Sequence, residues 1–346
     1  MKAYRGALIG CGYISYQQLA AWQKVDGAEI VAVCDLDEKK ARALADEFDI
    51  EAVYRDYQKM LDEVEVDFVD IATRPATHLE LVAQAAERGL HVLCQKPIAD
   101  DLETAQRMVE VCREAGITLM INENCRHQAW FRKLKKLLDE GALGAPYYAR
   151  FETRSRATLP HVKFKNQPYF RTMPRLLIFE MGVHFLDAAR YLFGEASHVR
   201  ATTKQLSPDI AGEDFALIDV NFSELNCTID MNWAGVSVPQ RTLSWGPVRV
   251  EGTLATAVLG WDGLLHLYTD EGTQTFTFPV DTVDRSFAST QQHFVDCLQD
   301  GREPETSGAE TLKTMALVFG AYASAEQGVS VDSANLLTTS REASHA

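Results

Sequence analysis

No two cysteines of the 346-residue chain have zinc-site or C-x-x-C spacing. All seven (Cys11, Cys34, Cys94, Cys112, Cys125, Cys227 and Cys297) are widely spaced and mostly set in apolar runs. That argues against a disulfide scaffold or a dithiol redox centre and for reduced, structural thiols. Histidines and carboxylates do not cluster at metal-ligand spacing, so no metal is expected. Apolar runs of membrane-span length are also lacking, and the N-terminal "MKAYRGALIGCG" runs straight into a strand pattern instead of a signal peptide. A cytoplasmic protein with no membrane partner is expected. Basic charge is scarce: 34 Lys and Arg against 49 Asp and Glu leave a net −15, which disfavours nucleic acid and anionic lipid as partners.

What is present suits two globular domains. Up to residue 122, short apolar runs at 6–10, 29–35, 67–73, 91–94 and 118–122 read as buried parallel strands. Helical patterns lie between them. Asp37 is placed to cap "EKKARALADEF", and Thr77 with Glu80 forms a T-x-x-E capping box before "LVAQAAERG", which Gly89 closes. This alternation predicts a doubly wound α/β sheet. After a helical "WFRKLKKLLDEGALG", the segments 146–153, 197–205, 214–222, 226–233, 241–251, 254–260 and 264–269 are β-rich. They predict a second α/β domain on one large, open, mainly antiparallel sheet. Three helices accompany it: "GVHFLDAARYLFG" (182–194), "STQQHFVDCLQDG" and "AETLKTMALVFGAYASAEQG". The expected division is 1–122 and 123–346, with a frayed tail over the last dozen residues.

The first strand enters its helix through "GCGYIS". Gly10 and Gly12 let the backbone turn tightly and approach a pyrophosphate at the helix N-terminus, which Tyr13 and Ile14 open. Ser15 stands where a third glycine is usual. Asp35 closes the second strand, placed to accept from a ribose diol, and the βαβ context makes 1–122 a dinucleotide-binding Rossmann domain. A carboxylate there repels a 2′-phosphate, and Leu36, Asp37 and Glu38 offer no arginine to receive one. NAD is therefore favoured over NADP, although Lys39 and Lys40 lie close. In "ATRPATH", Thr73 and Pro75 fall at the ligand-binding carboxyl edge. His78 suits a first-turn structural residue as well as a cofactor contact.

Two further segments hold titratable groups. "HVLCQKPIADD" ends a buried strand in Gln95-Lys96-Pro97, where the proline biases Lys96 toward extended backbone and an unusual peptide geometry is expected. Alone, this is a strand end whose lysine reaches water. In "FEMGVHFLDAARYLFGE", Glu180, His184 and Asp187 share one face if the helix has begun by Glu180. An ordinary amphipathic helix accounts for that spacing, and so does an acid/base relay around the histidine.

Taken together, Gly10 and Gly12, Asp35, "ATRPATH", Lys96-Pro97, "GVHFLD" and the closing "DGREPETSGAETLKTMALVFGAYASAEQG" resemble the Gfo/Idh/MocA family of NAD(P)-dependent sugar and polyol oxidoreductases, over nearly the whole chain. The resemblance implies that 123–346 binds substrate and mediates oligomer contacts, in a homodimer or homotetramer. It places Lys96, in the family's E-K-P motif, beside the nicotinamide, and makes Glu180 and His184 the other polar catalytic groups, with Asp187 a substrate-hydroxyl ligand. Gln95 departs from the usual glutamate and Glu180 from the usual aspartate. "VLCQKP" and "IFEMGVHFLDAARYLFGE" are similar to a subgroup that oxidises unusual sugars, D-apiose to its lactone among them. Within that pattern, Asn124 and Arg126 of "NENCRHQAWF" are expected at the nicotinamide edge or the sugar. "QPYFRTMPR" offers Tyr169, Arg171 and Arg175 to the substrate.

The implied reaction is oxidation of a sugar carbinol, with hydride passing to NAD. His184 is the first candidate for the base, since an unperturbed histidine pKa of about 6.5 suits neutral conditions. Lys96 then stabilises the alkoxide, or the two roles reverse. A non-catalytic dinucleotide sensor or co-regulator, and an oxidoisomerase or reductase with retained cofactor, share the same pattern.

Overall fold

The structure, a computed structural model, describes residues 3–159, 164, 167–235, 246–333 and 335–337. Parts of two expectations lie outside them: 338–346 of the tail and 241–245 of a strand. The chain divides into two compact units. One runs to Asn124 and takes in Asp284–Leu312; the other holds Cys125–Val283 and the chain from Lys313 onward.

In the first unit, β1 (Tyr4–Ile9), β2 (Ala28–Cys34), β3 (Ala52–Tyr54), β4 (Phe68–Ile71), β5 (His91–Gln95) and β6 (Leu119–Asn122) alternate with α1 (Tyr13–Trp22), α2 (Glu38–Phe48), α3 (Tyr57–Glu63), α4 (His78–Glu87) and α5 (Leu102–Ala115). Among the described residues the sheet has six strands, all parallel, in the order β3-β2-β1-β4-β5-β6. This is the doubly wound fold, with its switch point between β1 and β4. Asp37, Asp56 and Asp101 each accept from a backbone N–H at the start of α2, α3 and α5, and Gly116 ends α5 in a left-handed conformation.

Two local expectations need correction. The T-x-x-E capping box does not form, because Pro75–Thr77 turns as a 3₁₀ segment ahead of α4. There the Thr77 hydroxyl meets Thr73 Oγ1 (2.8 Å) and the Arg74 carbonyl (2.9 Å), while Glu80 accepts from Tyr57 (2.8 Å). The pair β3 and α3 is also new: three residues are too short to register as an apolar run, and α3 buries only Met60.

The second unit begins with α6 (Ala129–Asp139), β7 (Pro146–Arg154), α7 (Val183–Phe193), β8 (Ala196–Lys204), β9 (Phe215–Phe222) and β10 (Asn226–Asn232). It continues with β11 (Val248–Gly252), β12 (Thr256–Leu259), β13 (Leu265–Thr269) and β14 (Gly272–Phe276), and β15 (Val331–Asp332) follows later. Among the described residues these form a nine-stranded sheet, antiparallel except for the β7–β10 pair. Alternation sends Ala149, Phe151 and Thr153 of β7 to the buried face. There Phe151 packs on Phe131 of α6 and Phe185 of α7, at centroid distances of 6.1 and 5.8 Å. On the opposite face Arg150 and Arg154 both bond Asp230 (2.8 and 2.7 Å).

The return of Asp284–Leu312 to the first unit has a packing cause. Phe294 and Val295, on α8 (Thr282–Asp300), join Leu8, Trp22, Val33 and Phe68 in one buried cluster. Thr306 then lies along β6, accepting from the Ile121 N–H (2.8 Å) and donating its hydroxyl to the Ile121 carbonyl (2.7 Å). The last helix, α9 (Gly308–Gln327), contains the boundary between the units. Among the described residues no helix is long and apolar enough to cross a membrane.

Asp70 brings a carboxyl group into the first core. It is fully buried on β4, accepts from Trp22 Nε1 at 2.7 Å, and burial pushes its carboxyl from 3.8 up to about 7. The folded state therefore holds a proton that the unfolded state releases, so this group's contribution to stability falls as pH rises between those two values. Asp70→Asn should thus gain melting temperature relative to wild type as pH is raised from about 5 to about 8. Paired thermal melts at the two pH values check this, and a constant difference would contradict it.

Candidate active site

The turn after β1 is built by contacts at the switch point. Gly10 has φ +99°, and a β-carbon there would lie 2.9 Å from the Ala72 backbone and from Thr73 Cγ2. Only glycine permits that approach. The Cys11 N–H donates to Asp35 Oδ2 (2.7 Å), while Asp35 Oδ1 accepts from Asp37 N–H (2.8 Å). Asp35 thus ties the end of β2 to the glycine turn. Ser15, fully buried, explains how the third glycine is dispensed with: its hydroxyl donates to the Gly12 carbonyl (2.8 Å).

Gly12 tests whether the turn fits a dinucleotide. A β-carbon on it would meet nothing within 4 Å, and α1 starts there without a side-chain cap. The first N–H groups of a ten-residue helix consequently face open space, the arrangement that holds a pyrophosphate. Beside it a cleft of about 350 Å³ is lined by Cys11, Tyr13, Tyr16, Lys40 and Glu47. One neighbour was invisible in the sequence: Arg55 donates to the Leu36 carbonyl at 3.0 Å, reaching the end of β2 from the short β3–α3 connection.

Thr73 and Pro75 stand at the carboxyl edge of β4, both part-buried. His78, which the sequence left open between a first-turn structural residue and a cofactor contact, is fully buried, with Nδ1 2.9 Å from the Ile98 carbonyl and Nε2 3.2 Å from the Thr73 carbonyl. Burial pushes its pKa down against the opposing effect of those carbonyls. It braces the loops after β4 and β5, leaving no exposed edge for a ligand. Between those loops Lys96 is part-buried, and the unusual geometry expected at Lys96–Pro97 is a cis peptide bond. Gln95 Oε1 accepts from the Lys96 N–H (2.7 Å), and its buried Nε2 finds no partner among the described residues. Asn124 is buried and donates to Ser286 Oγ (2.7 Å).

In the second unit the Glu180 segment is not α-helical. Ile178–Gly182 form a π turn, and the α-helix starts at Val183. Such turns recur at functional sites. Glu180 is part-buried and His184 buried. Arg126, expected at the nicotinamide edge or the sugar, and Asp187, expected on a substrate hydroxyl, are paired with each other. Arg126 Nε and Nη2 reach Asp187 Oδ2 and Oδ1 at 2.8 and 2.7 Å, with side chains only 7% and 4% exposed. Two-point pairing in a dry setting is strong, and removing either partner strands a buried charge.

Tyr169 lies in the 3₁₀ turn Pro168–Thr172 and accepts from Gln167 Nε2 (3.1 Å). Arg171 is exposed and reaches the Asp209 carbonyl (3.3 Å). Arg175 lies over the Phe319 and Tyr322 rings, 5.3 and 5.5 Å from their centroids. All seven cysteines are buried thiols, outside any disulfide.

Comparison with known proteins covers both units. The model of the Gfo/Idh/MocA oxidoreductase family with its NAD-binding Rossmann fold matches residues 4–123, and that of the family's C-terminal domain matches 131–257. A D-apiose dehydrogenase from Paraburkholderia graminis is 39% identical, aligned over 96% of this chain and 90% of its own. Another from Rhizobium rhizogenes is 37% identical over 96% and 98%. An Agrobacterium radiobacter oxidoreductase solved with NAD+, L-tartaric acid and magnesium is 35% identical, with TM-score 0.91, covering 97% of this chain and all 100% of that one.

The two glycines separate fold from binding. Gly12→Ala should keep the wild-type melting temperature but weaken NAD binding about tenfold, because its methyl enters only the open cradle. Gly10→Ala should lower both, since its methyl meets the Ala72 backbone. Calorimetric titration with NAD and thermal melts check the pair; equal NAD affinity in Gly12→Ala would remove the pyrophosphate from this turn.

Proposed function

The chain belongs to the Gfo/Idh/MocA oxidoreductases, and we propose that it is an NAD-dependent dehydrogenase that oxidises an unusual aldose, with D-apiose to its lactone as the specific reading. The observation that carries it is the open glycine cradle, with Asp35 at its side and Lys96 directly after β5 of the same sheet. The two D-apiose dehydrogenases, similar over nearly their whole length, support the choice of sugar.

The chemistry that NAD supplies when bound is acceptance of a hydride. The protein's part is to hold the sugar carbinol and to move one proton. His184 takes the hydroxyl proton, while Lys96 donates a hydrogen bond to the same oxygen and stabilises its developing negative charge. Glu180 fixes the orientation and tautomer of His184. Asn124 and Tyr169 belong to the sugar side of the reading. Arg126 and Asp187 serve it through each other, keeping α7 in register with the segment that precedes α6. In the same reading the second unit binds substrate and pairs with another copy in a homodimer or homotetramer. The charged face of its sheet, with Arg150, Arg154 and Asp230, is the surface offered. Seven buried cysteines held as thiols, outside any disulfide, support the cytoplasm as its compartment.

Lys96→Ala and His184→Ala should each lower turnover roughly a hundredfold or more while leaving NAD affinity nearly unchanged. Wild-type turnover in both would remove the assignment. A panel of aldoses and polyols, each followed by NADH absorbance, tests the substrate class. Stoichiometric NADH with D-apiose supports the dehydrogenase; no NADH with any sugar, despite tight NAD binding, supports the sensor.

A further inference from the structure

We infer that Glu213 and Tyr322 are positioning residues for this reaction: together they anchor the π turn that carries Glu180 and launches the helix of His184. The inference rests on the roles proposed above for those two side chains.

A helix start leaves its first N–H groups without intrahelical acceptors, and here no nearby side chain caps them. They are met from far along the sequence. The N–H groups of Leu176 and Ile178 donate to the Glu213 carboxylate (Oε2 at 3.1 Å, Oε1 at 2.8 Å), and that of Leu177 donates to the Glu213 carbonyl (3.3 Å). The Phe179 N–H donates to the Tyr322 hydroxyl (3.1 Å), which in turn donates to Glu213 Oε1 (2.6 Å). Glu180 is then the first residue whose N–H finds an acceptor within the turn, the Leu176 carbonyl at 2.9 Å. One buried carboxylate and one buried phenol thus determine where the ladder begins, and so which way Glu180 points.

The anchor is itself held. Gly212 passes so close to the segment it serves that a β-carbon would lie 2.7 Å from the Met173 carbonyl and 2.9 Å from Leu176 Cβ. The Ala211 N–H donates to the Arg171 carbonyl (2.9 Å). Next to Glu213, Asp214 is fully buried and accepts from Leu206 N–H, Ser207 N–H and Thr158 Oγ1 at 2.6, 3.1 and 2.8 Å, which fixes the loop ahead of β9. Burial and the adjacent carboxylate push the Tyr322 phenol well above its ordinary pKa, keeping it a donor. Nothing in this set need touch substrate; its effect passes through the turn.

Tyr322→Phe removes the bridging hydroxyl and keeps the ring under Arg175. Glu213→Gln keeps the size but leaves one acceptor oxygen. Each should lower kcat about tenfold, with KM for NAD within about twofold of wild type, and the double variant should lose little more than the worse single. Wild-type kcat in folded Tyr322→Phe and Glu213→Gln would overturn the inference, even if both melt earlier, as would losses that multiply in the double variant. His184→Asn is measured alongside. If it too keeps wild-type kcat, the functional reading has failed; if it alone is slow, only the positioning role has failed.

Discussion

The first sheet is organised around a closeness that only one residue type allows. Gly10 runs against the Ala72 backbone at the point where the chain order of the sheet reverses. Strand order reverses between β1 and β4, the place where open α/β sheets bind ligands at their carboxyl ends. The Asp35 carboxylate then fixes the second side of the turn through the Cys11 N–H. These local constraints leave Gly12 facing open space at the start of α1. The cradle is therefore rigid where it meets protein and empty where it meets a ligand, which is the requirement for binding without reorganisation.

The second unit achieves its order differently. Its nine strands provide a platform, but the segment ahead of α7 is set by buried polar groups gathered from distant parts of the chain. Arg126 with Asp187, and Glu213 with Tyr322, are each satisfied by more than one bond. Polar groups held this way give weak evidence of net stability, because desolvation offsets much of the gain. What they do supply is a single arrangement: a π turn has few intrinsic advantages over an α turn, and side chains that dictate its acceptors remove the alternative.

The sequence was most readable where physics is local. Apolar runs located five of the six strands in the first sheet, and Asp37 capped α2 as its position implied. Seven β-rich segments correspond to β7 through β13, and the doubly wound class followed from alternation alone. Failures share a cause in tertiary contacts. Thr77 and Glu80 had a capping spacing but found better partners in Thr73, Arg74 and Tyr57. The partners of His78, Arg126 and Asp187 were equally unreadable: nothing in their sequence neighbours reveals the carbonyls or the opposite charge that engage them in the fold. Helix α8 shows a good apolar stripe, yet no pattern states which sheet it covers. Glu213 could have attracted notice only through the turn chemistry of "SPDIAGED", which signals a loop and not its purpose.

Gln95 shows how a departure from a family pattern can be read physically. It is 7% exposed and pairs across β5 and β6 with Asn122, which is 1% exposed. Among the described residues, Gln95 Nε2 and both polar atoms of the Asn122 amide lack hydrogen-bond partners. A glutamate at this position would bring a charge into a buried row of neutral amides, at a desolvation cost that an amide avoids. The glutamine keeps the one contact that geometry makes essential, its Oε1 accepting from the Lys96 N–H, and any acceptor oxygen can do that. The backbone of the lysine is thus held as a carboxylate oxygen would hold it, by a side chain without formal charge. Substitution at 95 consequently leaves the position of Lys96 intact and alters the field around it, so the lysine and its neighbour are best understood as one unit.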